Sequence, residues 1–155
     1  MLNFFRKNIL FRIIFLFPVF LSANLPHENL AVIVNPQSGI SEMKYSELVS
    51  ILKGEKPYLK NGTKASIALL KTSTKLGDEI AKTIYGISGD ELNKYWLSLV
   101  FQGKVAAPNF FDSESDLKNF VAKNKGAIGI ISAEALNENE KPVLIDGEKF
   151  LSGSK

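Results

Sequence analysis

The chain is expected to fold as an α/β domain, a three-layer sandwich with a mostly parallel sheet. Two observations predict it. Short continuous apolar runs alternate with amphipathic helical stretches, and most helical stretches are bracketed by a capping residue and a glycine stop. Buried strands separated by helices are the pattern of a sheet covered on both faces.

Leu30-Ala31-Val32-Ile33-Val34 reads as a buried strand, broken by the loop Asn35-Pro36-Gln37-Ser38-Gly39. Tyr45, Leu48, Val49 and Leu52 recur at helical spacing and define one face of a helix that Gly54 stops. Lys60-Asn61-Gly62-Thr63 is a tight turn before a second strand, Ala65 to Leu70. Asn61-Gly62-Thr63 also has the pattern of a glycosylation acceptor and is read here as a turn alone.

Thr72-Ser73-Thr74 supplies caps for a helix whose apolar line is Leu76, Ile80, Ala81 and Ile84, closed by Gly86. Ser88-Gly89-Asp90-Glu91 is a capping box before the clearest amphipathic stripe, Leu92, Tyr95, Trp96, Leu99 and Val100. At helix spacing these aromatics read as core. Ser113 to Asp116 starts another helix, with Leu117, Phe120 and Val121 inward and Lys123, Lys125 and Gly126 at its end. A third strand, Ala127 to Ile131, follows at once. Val143 to Leu151 reads as a hairpin around Asp146-Gly147.

Residues 1–23 have the composition of an export signal: Arg6, Lys7 and Arg12, an apolar run from Ile13 to Phe20, then Leu21-Ser22-Ala23. A retained anchor is the alternative, but with Arg12 inside it the run falls short of the roughly 20 residues a span needs. The expected organisation is a leader over 1–23 and one domain over 24–155, in the periplasm, with no stable membrane span after cleavage. Near the cleavage point there is no cysteine for lipid attachment.

Cleavage would remove three of the 19 basic residues and none of the 16 acidic ones, leaving 16 lysines facing 16 carboxylates. A neutral domain has no overall field to gather nucleic acid, and none is expected as a partner. Without arginine, the planar fork that grips phosphate or carboxylate in two places is missing. Zero cysteines exclude disulfides and thiolate metal sites, and the lone His27 stands beside Pro26 with no cluster around it. No metal and no cofactor is expected. The acids Asp78, Glu79, Asp112, Glu114 and Asp116 lie at helix starts, where capping and dipole complementarity account for them, so an enzyme is not expected.

Four blocks in series carry a resemblance: Val34-Asn35-Pro36; Tyr45-x-x-Leu48-x-x-Ile51-Leu52-x-Gly54; the Tyr95-Trp96 helix ending in Phe101-x-Gly103-Lys104 with Pro108 beyond; and Gly126-Ala127-Ile128-Gly129. Together they resemble the phosphate-binding protein of bacterial ABC importers, and more closely the short, single-lobe members of that group. The likeness covers roughly Leu30 to Ile145. It implies one lobe of a type II periplasmic binding protein.

Full-length members of that family close two lobes on an oxyanion, with contacts that include an arginine followed by a Gly-Ser-Gly-Thr turn. Here the matching stretch is Lys71-Thr72-Ser73-Thr74-Lys75-Leu76-Gly77. Lys71 replaces the arginine, Thr74 and Leu76 replace the glycines, and Lys75 replaces the serine. A helix start with Lys71, Ser73, Thr74 and Lys75 still offers donors to an anion. Equally, Ser73 or Thr74 is simply the cap. The loop with Ser38 and Gly39 is a second candidate, because ligands gather at strand ends in α/β sheets; an ordinary turn is its other reading.

The functional expectation is a phosphate-binding-protein-like domain recognising a small anion such as phosphate for uptake or sensing. An ABC permease or another periplasmic protein is the expected partner. The alternative is an accessory or scaffold module of the same fold that binds no small ligand.

Overall fold

The computed structural model describes residues 29–138 and 140–152; the expected leader and His27 lie outside them. The main sheet has four strands in the order β1 (Leu30–Val34), β5 (Ala127–Ser132), β3 (Ser66–Leu70), β4 (Asn109–Phe111). β5 pairs parallel with β3, and β3 parallel with β4, whereas β1 runs antiparallel to β5. The sheet is therefore mostly parallel, with one reversed edge. A second, minimal sheet joins β2 (Glu42–Met43) in parallel to β6 (Leu144–Ile145).

All six residues of β5 are buried, which fits its continuous apolar sequence and its place between two strands. Helix α4 (Glu114–Lys123) crosses one face of the sheet, where a side chain on Gly129 would lie 2.8 Å from Leu117 Cδ2. Ala68 shares that face through its register with Gly129. Small residues in the strands thus let the helix approach. On the opposite face Ile67, Leu69, Ile128 and Ile130 are equally buried.

That second face lies under α1 (Tyr45–Leu52), α2 (Lys75–Ile80) with its π-helical continuation Ala81–Tyr85, and α3 (Gly89–Phe101). Two tyrosines join them. The buried Tyr85 hydroxyl donates to Leu52 O at 2.7 Å, and the Tyr95 hydroxyl donates to Lys53 O at 2.7 Å, satisfying carbonyls that α1 leaves open at its end. Desolvation raises the pKa of Tyr85, so it stays a neutral donor. The stripe of α1 is rotated from the expected one: Leu48, Ile51 and Leu52 are buried, while Tyr45 is exposed.

Two blocks of the sequence pattern acquire physical reasons here. Asn35, 2% exposed, donates through Nδ2 to Val121 O and Ala122 O and accepts from Gln37 N, so it fastens the end of β1 to the end of α4. Gly126 is needed because a Cβ there would stand 2.0 Å from the backbone oxygen of Lys64. Ser66 N donates to Gly126 O at 2.8 Å across the same approach.

The expected hairpin is corrected. Asp146 and Gly147 both have positive φ and make a tight turn, with Ile145 and Glu148 exchanging both backbone hydrogen bonds. Beyond that pair the arms separate. One pairs with β2, while Leu151 exchanges hydrogen bonds with Leu30 at the edge of the main sheet.

Gly126→Ala is expected to destabilise the domain by about 3 kcal/mol, because rigid backbone stands where the methyl must go. Gly129→Ala should cost less, since part of its obstacle is the mobile end of Leu117. Urea unfolding of the two variants, compared at equal slope, checks the order.

Candidate functional site

The direction of β1 decides which expected site residues share an end of the sheet. β3, β4 and β5 are parallel, so Lys71, Asp112 and the end of β5 at Ser132 form one rim at their carboxyl ends. β1 is reversed, so its following loop, with Ser38 and Gly39, lies at the other end, beside the starts of β3 and β5. Asn61 Nδ2 donating to Ser38 O at 2.9 Å, just before β3, fixes it there. A strand of five residues spans about 17 Å, so the two groups do not form one site.

At the Ser38 end the loop is an ordinary turn. Ser38 is 7% exposed, its Oγ accepts from Ile40 N at 3.2 Å, and Gly39 takes the left-handed conformation. Gly39 borders a groove of about 440 Å3 whose walls include Ile33, Val34, Pro36, Val121 and Pro142. Those walls are mainly apolar.

At the rim, the expected donors have different fates. Thr74 is the cap of α2: its Oγ1 accepts from Gly77 N at 3.0 Å and donates to Lys71 O at 2.7 Å, which leaves it no proton to donate to an anion. Gly77 is the residue that permits this, since a Cβ would sit 2.1 Å from Lys71 O. Lys71 Nζ lies 2.7 Å from Asp112 Oδ2, so its charge is paired. Ser73 and Lys75 are exposed, and the Ser73 hydroxyl has no hydrogen bond among the described residues. The groove beside Gly39 does not reach Lys71 to Lys75.

Asp112 has a role that capping and solvation did not describe, as the partner of Lys71. Ser113 caps α4 as its box-like start implied, accepting from Asp116 N at 3.1 Å. Asp112 faces Lys71 because the register sets Leu70 beside Phe111. Of the other acids at helix starts, Glu114 Oε1 accepts from Ser132 N at 2.5 Å and Asp78 Oδ1 accepts from Gly89 N at 3.0 Å. Thr72 completes that junction by accepting from Asn93 Nδ2 at 2.8 Å. These contacts tie helix starts and strand ends into one rim. Among the described residues there is no group of three or more His, Cys, Asp or Glu able to hold a metal ion.

The Asp78 carboxyl is held below its ordinary value, first by the hydrogen bond from Lys82 and next by the Gly89 amide. Its contribution to stability is therefore complete above the unfolded value of 3.8 and is lost as pH falls through the lower folded one. Asp78→Asn should lower the thermal midpoint at pH 7 and flatten its decline below pH 4, which a series of melts by circular dichroism will read.

No family model matches the chain, and no curated protein matches it. Solved structures do. An ABC-type phosphate transport receptor from Vibrio cholerae aligns at 19% identity and a TM-score of 0.62, over 78% of this chain and 47% of that one. A candidate phosphate ABC transporter substrate-binding protein from Clostridium perfringens, solved with bound phosphate, aligns at 16% identity and 0.62, over 79% and 47%. The chain has the fold of one lobe of these phosphate-binding proteins and spans less than half their length.

Proposed function

We propose that this chain is an exported, non-enzymatic solute-binding lobe that recognises a small oxyanion, phosphate or one like it, in the periplasm, alongside an ABC permease or another periplasmic protein. Placement carries the reading. In the fold shared with the phosphate receptors, Lys71 to Lys75 stand where parallel strands end and a helix begins. The exposed Ser73 hydroxyl, the Lys75 ammonium and the first amides of α2 are donors at that rim. Among the described residues no helix is long and apolar enough to cross a membrane.

An open rim leaves the anion largely hydrated, so affinity is set by a few solvent-exposed contacts, with an expected Kd of about 1 mM. The Lys71–Asp112 pair weakens it further by competing for the cation. That pair is also the observation that favours the second reading, an accessory module of the same fold without a small ligand.

Calorimetry against phosphate, sulfate and small carboxylates separates the two. Binding is expected with phosphate or sulfate, lost in the Ser73→Ala, Lys75→Ala double variant. Asp112→Asn releases Lys71 and should tighten binding by about fivefold, roughly 1 kcal/mol. The absence of heat and of any thermal shift at millimolar anion would remove the solute-binding reading and leave the accessory module.

A further inference from the structure

A groove of about 720 Å3 opens at the other end of the sheet, where β3 starts at Ser66 and β4 at Asn109. Its floor is apolar, with Ile51, Ile67 and Val105. Two of the glycine positions in the sequence blocks shape it. Gly54 has a φ of 74°, and a Cβ there would lie 3.0 Å from Val105 Cγ1 and 3.2 Å from the Trp96 ring, so only glycine lets the turn after α1 meet the segment after α3 this closely. Gly103, also left-handed, turns the chain out of α3 and into the opposite wall.

The walls are basic although the expected mature domain is neutral. Three lysines line the groove, Lys56, Lys64 and Lys104, and one acid, Glu55. Lys56 is paired with Glu47 at 2.6 Å, whereas Lys64 and Lys104 form no ion pair among the described residues. They come from separate segments: Lys64 bridges to Tyr58 across a tight turn, and Lys104 follows α3. Tyr58, 53% exposed, adds an aromatic surface at the rim.

The volume falls within the roughly 300–1,000 Å3 of ligand sites for molecules much larger than one tetrahedral oxyanion. Lysines are point charges, tolerant of carboxylate orientation, and here they stand on different segments around an apolar floor. Carboxylates spaced along a chain match that arrangement. We propose that this groove docks an extended acidic segment of a partner protein, with carboxylates on Lys64 and Lys104 and small apolar groups on Ile67 and Val105 between them.

Fluorescence anisotropy with a labelled peptide of alternating glutamate and alanine tests it, using the purified protein at low ionic strength. Binding is expected with a Kd of about 100 μM, weakening with salt. The Lys64→Ala, Lys104→Ala double variant should lose about tenfold in affinity with its circular dichroism unchanged, while Lys75→Ala at the rim should bind normally. Amide shifts in the unaltered protein should centre on Tyr58, Ser66 and Asn109, a readout that holds even if the double variant fails to fold. Absence of binding, equal binding of a lysine-alanine peptide, shifts centred elsewhere, or displacement by phosphate at matched ionic strength would overturn the docking site. Phosphate calorimetry reports the rim separately, so either proposal can fail without the other.

Discussion

Everything in this fold is referred to β5. It is buried along its whole length and takes strands of opposite sense on its two edges, β1 antiparallel and β3 parallel. A backbone enclosed this way has to find its hydrogen bonds in its neighbours, so both edges must be filled. It also tolerates no bulk where the chain crosses it: Gly126 accommodates the Lys64 carbonyl and Gly129 accommodates Leu117. The reversal at β1 then sends the loop after β1 to one end of the sheet and the loops after β3 and β4 to the other. Which residues can cooperate follows from that single reversal.

Much of the architecture was legible because burial on two faces leaves a plain mark. The strands at Leu30–Val34, Ser66–Leu70 and Ala127–Ser132 and the stripes of α2 and α4 follow from apolar runs and helical spacing. The stripe of α3 holds at Leu92 and Trp96, with Tyr95 and Leu99 half-buried, but its last member, Val100, is exposed. Strand direction left no such mark, since an apolar run reads the same in either sense. β4 escaped because three half-buried residues between Pro108 and Asp112 are too few for a period. The π-helical continuation of α2 kept the apolar line Ile80, Ala81 and Ile84 buried, so the pattern showed one helix where the hydrogen bonding changes at Ala81. β2 and β6 are two residues each and exist only as a pair.

The site was less legible than the fold because its chemistry depends on register. Lys71 and Asp112 are 41 positions apart and meet only because Leu70 lies beside Phe111. Ser73 and Thr74 were equivalent caps in sequence, and the close approach of Gly77 to Lys71 O selects Thr74. Cap and cation at this helix start are thus engaged internally, and the free donors are the flanking Ser73 and Lys75. A helix start that satisfies itself holds a ligand less strongly than one whose donors wait for it.

Neutral overall charge does not make the surface featureless, because the sheet keeps its two ends apart. Lys71 lies five positions beyond Ser66 along β3, about 17 Å, which exceeds the screening length of roughly 8 Å at physiological ionic strength. Charges at the rim and at the groove therefore act independently, each on what lies within its own reach. At the rim Asp112 offsets Lys71, so little net charge is left beyond Lys75. At the groove Lys64 and Lys104 face an apolar floor with Glu55 as the sole acid of its lining. The groove thus keeps two lysines, unpaired among the described residues, at the end away from the strand termini that hold the candidate anion residues, and it is shaped by Gly54 and Gly103, whose left-handed backbone favours glycine.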